Sequence, residues 1–301
     1  MDIAIALGGG GSRGNAHVGV LRRLEEEGFR IRAVAGTSAG GIAAVAYAAG
    51  YTPDEMEQIF SHVDQTKLFA RLAVEGPGLI GLSGARKVLE EFLGERTFAD
   101  LKIPCAVVAV DLEAAKEVVI HEGRVVDAIL ATIAIPGVFP PKEWGEHRLV
   151  DGGVLDPVPV SVARALCPGH PVLAVVLSAR MEEPRHFSHL PLPLHVPAPI
   201  VERFTHLRFA QAFNIFMDSV DVGQRMITEL RLTLDEPDVI IRPEVGGIGL
   251  LERVDVMNVI RLGEKAVDQV LPEIRRSVAW RNRMRRRLFP RRNRKVRVHG
   301  A

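Results

Sequence analysis

The chain carries only two cysteines in 301 residues, Cys105 and Cys167. Two are too few for a disulfide scaffold, and Cys105, inside the apolar run Pro104–Val110, reads as a buried thiol. No run of 18 or more uncharged apolar residues occurs. The longest candidate, Ile31–Tyr51, is broken by Arg32 and by glycines, so no membrane span is expected. There is no H-E-x-x-H, no C-x-x-C and no carboxylate cluster at ligand spacing, so no metal and no cofactor are expected. A glycine-rich turn already begins at residue 8, which leaves no room for a signal peptide; with the few cysteines, the cytoplasm is the expected compartment. Residues 275–301 hold no acid at all but eleven Arg and one Lys, so the formal net charge of +1 conceals an acidic body and a strongly basic tail.

Two glycine-rich turns dominate what is present. Gly36-Thr37-Ser38-Ala39-Gly40 follows the apolar run Ile31–Ala35 and opens the Ala-rich stretch Gly41–Gly50, an order that reads strand, sharp turn, helix. A serine on such a turn projects its hydroxyl away from its own backbone, and small neighbours admit a substrate. A helix-capping serine in a tight βα turn is the plainer reading of the same motif. The second turn, Gly8-Gly9-Gly10-Gly11-Ser12-Arg13-Gly14, lies between a strand-like Asp2–Leu7 and a helix-like Asn15–Glu27. Consecutive glycines uncover backbone N–H groups beside a helix start, which suits a developing oxyanion. Gly9 to Gly14 also spells G-x-G-x-x-G, whose better-known meaning is dinucleotide binding. That reading needs an acid at the end of the second strand, and Gly28–Pro53 contains no Asp or Glu.

With 47% hydrophobic residues the chain suffices for one large α/β domain or two small ones. The opening strand–helix–strand–helix order predicts a parallel βαβ unit. Thr52-Pro53-Asp54-Glu55 reads as a capped helix start, and Ser83 as the cap of a helix through Leu93. Strands are expected at Pro104–Leu112, Glu117–His121, His147–Val150, Pro171–Ser178 and Asp238–Ile241. Helices are expected at Val125–Ile133, Val158–Leu166, about Val201–Leu230 and about Asp255–Arg275. Arg180–Pro199, with five prolines and several histidines, reads as a long irregular loop of the kind that forms lids.

Ser38 needs a base. The later histidines, His170, His186, His189, His195, His206 and His299, lack a strand-to-turn setting, and several fall in the proline-rich loop. Asp151 ends a short strand and is followed by Gly152-Gly153, which exposes a carboxylate beside flexible backbone. By itself the triplet reads first as a hairpin turn, common in any protein.

Taken together, these blocks resemble the patatin-like phospholipases. Gly9–Gly14 with Ala16-His17-Val18-Gly19-Val20-Leu21 resembles their oxyanion loop and first helix; Gly36–Gly40 resembles their nucleophile turn. Ala134–Pro141 with Asp151-Gly152-Gly153 resembles the segment carrying their catalytic Asp. The resemblance covers roughly Ile3–Leu177, and Asp238–Pro243 looks like the later part of bacterial members. It implies a three-layer α/β/α fold with a mostly parallel sheet over residues 1–274, with 275–301 as a tail. It also implies a lipid ester substrate and a Ser38–Asp151 dyad without histidine. The oxyanion loop would be Gly9, Gly10, Gly11, Ser12, Arg13 and Gly14, with the N–H groups of Gly10, Gly11 and Ser12 as donors. Gly36, Gly40, Gly152 and Gly153 would support the turns. A soluble carboxylesterase and an adaptor on an inactive hydrolase fold are the alternatives.

One departure is Asp156-Pro157, where bacterial members often have Asn-Pro; a second carboxylate there would either raise the base's pKa or cap the next helix. Arg13 stays protonated and cannot be the base; it would steady the loop through an ion pair or favour anionic head groups. His17 reads as structural. Phe209, Phe213, Phe216 and Val220 form one helical stripe, for core packing or an acyl channel. Trp280, Met284 and Leu288, set among arginines, form a short basic amphipathic pattern. It suits an anionic membrane surface, with a frayed terminus or nucleic acid, the latter thinly supported, as the other readings. Nothing in the sequence indicates an oligomer.

Overall fold

Alternation of side-chain size along the first strand sets the layering. In β1 (Asp2–Leu7), Ile3, Ile5 and Leu7 point into one core, while Ala4 and Ala6 point into another. The large side chains meet α1 (Ala16–Glu26), α2 (Ala39–Ala48), α5 (Val125–Thr132) and α8 (Val256–Ser277). The alanines allow α6 (Val160–Leu166) to lie close on the opposite face. The result is a three-layer α/β/α arrangement. It is a computed structural model, and it describes residues 1–62, 81–182 and 200–279, the side chains of 200–211 and Asn214 excepted.

The remaining strands are β2 (Arg30–Thr37), β3 (Cys105–Asp111), β4 (Lys116–Ile120), β5 (Lys142–Trp144), β6 (His147–Asp151), β7 (Val172–Val175) and β8 (Val239–Ile241). Three further helices are α3 (Pro53–His62), α4 (Ser83–Leu93) and α7 (Ile200–Asp235). Strands β3, β2, β1, β7 and β8 form the parallel body of the sheet. Strand β3 is buried at every position, as expected for a strand covered on both faces.

The antiparallel end of the sheet positions the site. β4 pairs with β3 over residues 107–111, occupying one edge. β2 pairs with Cys105–Val108 and β6 with Ala109–Asp111. A residue has only two strand neighbours, so β2 and β6 must share the other edge. They run toward each other in one lane and meet tip to tip, Thr37 opposite Val108 and Asp151 opposite Ala109. The residues that leave these tips are Ser38 and Gly152.

Several local expectations are refined. Thr52 caps α3 as predicted: its hydroxyl accepts from the Glu55 N–H at 3.2 Å, and the Glu55 carboxylate accepts from the Thr52 N–H at 2.8 Å. Ser83 is the first helical residue of α4, and Leu82, which makes no side-chain cap bond, stands at the cap position. The strand β5 was not expected, and α7, at 36 residues, runs beyond Leu230. Asp255 is the cap of α8, accepting from the Met257 N–H at 3.1 Å. α8 continues to Ser277, past the start of the basic segment, and Arg275 pairs with Glu27 of the body at 2.5 Å. The stripe Trp280, Met284, Leu288 and His299 lie outside the described residues, as does the loop Arg180–Pro199 after Glu182.

Candidate active site

Ser38 sits between β2 and α2 with φ 55° and ψ −125°, a backbone conformation that costs an L residue about 1–3 kcal/mol. Two features hold it there. Gly36 and Gly40 touch backbone to backbone: a Cβ on Gly36 would stand 2.2 Å from the Gly40 carbonyl oxygen, and one on Gly40 would stand 2.1 Å from that of Leu7. The Ser38 N–H donates to Thr132 Oγ1 at 2.9 Å, and the Thr132 hydroxyl donates to the Val108 carbonyl at 2.5 Å. Thr132, fully buried at the end of α5, thus pins the turn to β3. Thr132→Val keeps the shape and leaves the Ser38 N–H unpartnered. It should destabilise the protein by about 1–3 kcal/mol, read by chemical denaturation, and loosen the turn.

Asp151 is buried, 3% exposed. Its Oδ1 accepts from the Gly153 N–H at 2.7 Å, and its N–H donates to the Ala134 carbonyl at 2.9 Å. The Ser38 hydroxyl lies near enough to the carboxylate to favour its ionised form. Burial raises its pKa to about 6, against the opposing pull of Ser38 and of the Gly153 hydrogen bond. The two residues that the sequence singled out therefore stand side by side where the tips of β2 and β6 meet. That value lies well above the range near 4 of a carboxylate in water.

The glycine turn lies against the serine: a Cβ on Gly9 would be 3.3 Å from Ser38 Cβ. Most of its backbone is already engaged. The N–H groups of Gly8, Gly9, Ser12 and Arg13 donate to Val175, Pro157, Leu250 and Gly10 carbonyls at 3.0, 2.9, 2.8 and 3.1 Å. Ser12 is therefore not an available donor, contrary to expectation, because the segment after β8 crosses the loop. Among the described residues, the N–H groups of Gly10 and Gly11 have no such partner. Gly11 has φ +55° and lies against the Leu250 carbonyl, 1.9 Å from where a Cβ would stand, so no other residue fits.

His17 is buried and structural, as expected. Its Nε2 donates to the Gly8 carbonyl at 2.8 Å, and burial lowers its pKa to about 4, keeping it neutral. Arg13 is buried too; its Nε donates to the Ile248 carbonyl at 2.6 Å, and its guanidinium lies 4.0 Å from Asp221. It ties the loop to the body. Phe213 is buried, whereas Phe216 is half-exposed, and both rings lie against Gly137. The Phe209 side chain lies outside the described residues.

Asp156 does neither thing expected of it. The first turn of α6 has no side-chain cap, and Asp156 is not among the groups that shift Asp151. It is fully buried and forms an ion pair with Arg231 of α7 at 2.6 Å. Of the other histidines, His147 Nδ1 donates to Asp111 at 2.7 Å, His62 lies on the Gln58 carbonyl at 2.7 Å and His170 lies 3.2 Å from the Cys167 sulfur. His186, His189, His195 and the His206 side chain lie outside the described residues.

A strained serine turn thus stands beside a buried aspartate and a glycine loop on a mostly parallel α/β sheet. The chain belongs to the patatin-like phospholipase family, whose model matches residues 5–164. It is 39% identical over 162 residues to an uncharacterized NTE family protein of Mycobacterium tuberculosis, covering 53% of this chain and 44% of that one. A second such protein of the same organism is 26% identical over 287 residues, covering 91% of this chain and 47% of its own. The chain thus spans about half the length of these relatives. Patatin-like phospholipase domain-containing protein 6 of Mus musculus is 28% identical over 171 residues, 54% of this chain and 13% of that protein. The crystal structure of VipD from Legionella pneumophila shares the fold, with a TM-score of 0.57 at 13% identity over 91% of this chain and 67% of that one.

Proposed function

We propose that the chain is a serine acyl hydrolase that cleaves carboxylic ester bonds of lipids, phospholipids or lysophospholipids first among them. The observation that carries this reading is the meeting of β2 and β6 tip to tip, which sets Ser38 beside a buried Asp151 whose pKa is raised to about 6. Asp151 accepts the Ser38 proton as Oγ attacks the ester carbonyl carbon. The oxyanion takes hydrogen bonds from the Gly10 and Gly11 N–H groups, with the N-terminus of α2 adding positive potential. Collapse breaks the ester C–O bond, and Asp151 returns the proton to the leaving alcohol. Water then adds to the acyl-serine carbonyl, giving its proton to Asp151. Release of the fatty acid returns that proton to Ser38. No histidine takes part in these steps.

The pH dependence follows from the base. Asp151 must be ionised to accept the proton, so kcat/KM rises with pH through about 6 and levels above it. A profile limited only near pH 4 would contradict the buried base. The reading is tested by product analysis with a panel of phospholipids, lysophospholipids and short soluble esters. Free fatty acid from lipid supports it; turnover of short esters alone points to a carboxylesterase, and no turnover of any ester to an adaptor on an inactive fold.

The basic segment is assigned a role in reaching the membrane. Each Lys or Arg near an anionic surface contributes about 1 kcal/mol, weakened by salt. A protein ending at Ala279 keeps α8 entire and loses nine Arg and one Lys. It should bind anionic liposomes far less than the full chain, while turnover of a soluble ester barely changes. Equal binding of the two proteins would remove the tail as anchor.

A further inference from the structure

Ser38 and Asp151 leave opposite strand tips, and the short segment after Asp151 closes the gap between them. The Asp156 N–H donates to the Gly152 carbonyl at 2.8 Å, and the Asp156 carbonyl accepts from Thr37 Oγ1 at 2.8 Å. One residue therefore touches both the turn after the base and the residue before the nucleophile. Its side chain meets Arg231 of α7, Oδ2 to Nη2 at 2.6 Å and Oδ1 to Nε at 3.3 Å. The same Nη2 also reaches Glu117 of β4 at 2.6 Å, and the guanidinium lies 3.9 Å from Asp235 one turn further along α7.

Stability alone does not account for this cluster. Asp156 is fully buried, and Arg231 and Asp235 are nearly so. Desolvation of such groups offsets most of their attraction, and apolar residues of similar size commonly serve as well or better. Arg231 Nη1 is moreover buried with no hydrogen-bond partner among the described residues. What an Arg–carboxylate contact, here one hydrogen bond and one close ion-pair contact, supplies that apolar packing does not is a fixed position and direction.

We infer that Arg231 and Asp156 form a positioning pair that fastens α7 and β4 to the segment joining Asp151 to Thr37, and so sets the distance between the Ser38 hydroxyl and its base. The inference rests on the serine-hydrolase reading. Neither residue touches substrate; the pair acts through the backbone of Asp156. Small displacements of reacting groups lower rates steeply, by as much as about 100-fold for about 1 Å.

The test is the rate at which a fluorophosphonate labels the folded full chain, with kcat and KM for a short soluble ester alongside. Asp156→Asn preserves shape and backbone contacts and removes the charge; Arg231→Lys preserves charge and removes the fork. In Asp156→Asn, labelling and kcat should both fall about tenfold or more, with KM within about twofold of wild type. Arg231→Lys should fall less. The double variant Asp156→Asn/Arg231→Lys should lose no more than the worse single change, the signature of residues acting as one unit. Leu234→Ala, exposed on the same helix, should label at the wild-type rate.

Labelling of folded Asp156→Asn at the wild-type rate would overturn the positioning role, as would additive losses in the double variant. Unfolding of Asp156→Asn at the assay temperature would do so too, since the pair would then hold the domain together rather than the dyad. A wild-type chain that takes no label fails the hydrolase reading itself, a separate outcome.

Discussion

Replacing Ser38 with alanine removes ester hydrolysis and fluorophosphonate labelling together and leaves a folded protein. The expected loss in kcat is about 10⁴–10⁶-fold, the range seen when the nucleophile of a serine hydrolase is deleted, equivalent to about 5–8 kcal/mol of barrier. The fold survives because the turn is held by its backbone. Its N–H is bonded to Thr132, and the Gly36 and Gly40 contacts do not involve the side chain. Circular dichroism and thermal melting should match wild type closely. Labelling of the variant at the wild-type rate would remove Ser38 from the chemistry.

Asp151→Asn should fail in activity and gain in stability. An amide cannot accept the serine proton, so kcat should fall by about 10²–10⁴-fold, the usual worth of a positioned base. Stability moves the other way. The carboxyl is near 4 in the unfolded chain and about 6 in the folded one, so folding favours its protonated form. Its contribution is intact below pH 4 and is lost as pH rises through 6, to about 3 kcal/mol at full effect. Asparagine keeps the acceptor for the Gly153 N–H. The variant should therefore melt higher than wild type at pH 8, and the two should converge below pH 4. Equal melting temperatures at pH 8 would mean that Asp151 is not held against its preference for water.

The residues that do the proposed chemistry were legible in the sequence because each stands on a local pattern. A strand, a small-residue turn and a helix placed Ser38; a strand end and two glycines made Asp151 a candidate, which the family resemblance raised above a plain hairpin turn. The parallel body of the sheet was legible for the same reason, since β1 and β2 each precede a helix of the right length. What was not legible depends on contacts between distant segments. The glycine loop looked able to offer the Ser12 N–H, but Leu250, far along the chain, takes it. Thr132 is an ordinary helix-end threonine until β3 and the serine turn close around it. Asp156 looked like a cap or a perturbing neighbour because its partner, Arg231, lies 75 residues away on α7. The strand β5 escaped notice because Lys142–Trp144 is only three residues long, half-exposed and polar. The meeting of β2 and β6 in one lane of the sheet is a property of register, which no local pattern encodes.

This geometry gives each part of the site a distinct mechanical origin. β3 serves as the ruler, with Val108 opposite Thr37 of the serine strand and Ala109 opposite Asp151. Thr132 fixes the nucleophile turn from one face, and Asp156 with Thr37 fixes it from the segment beyond the base. His17 holds the start of the glycine loop at the Gly8 carbonyl, and Arg13 ties its far end to the Ile248 carbonyl. Every one of these contacts is buried or nearly so, which is how a strained serine is kept where a relaxed loop would release it.

The most direct measurement is the labelling of the full chain by a fluorophosphonate at pH 8 and pH 5, followed by mass spectrometry of the peptides. The account predicts one adduct per chain, on Ser38, with a rate about tenfold lower at pH 5 because a base with a pKa of about 6 is then mostly protonated. An adduct on any other residue, or labelling of Ser38 at the same rate at both pH values, would contradict it.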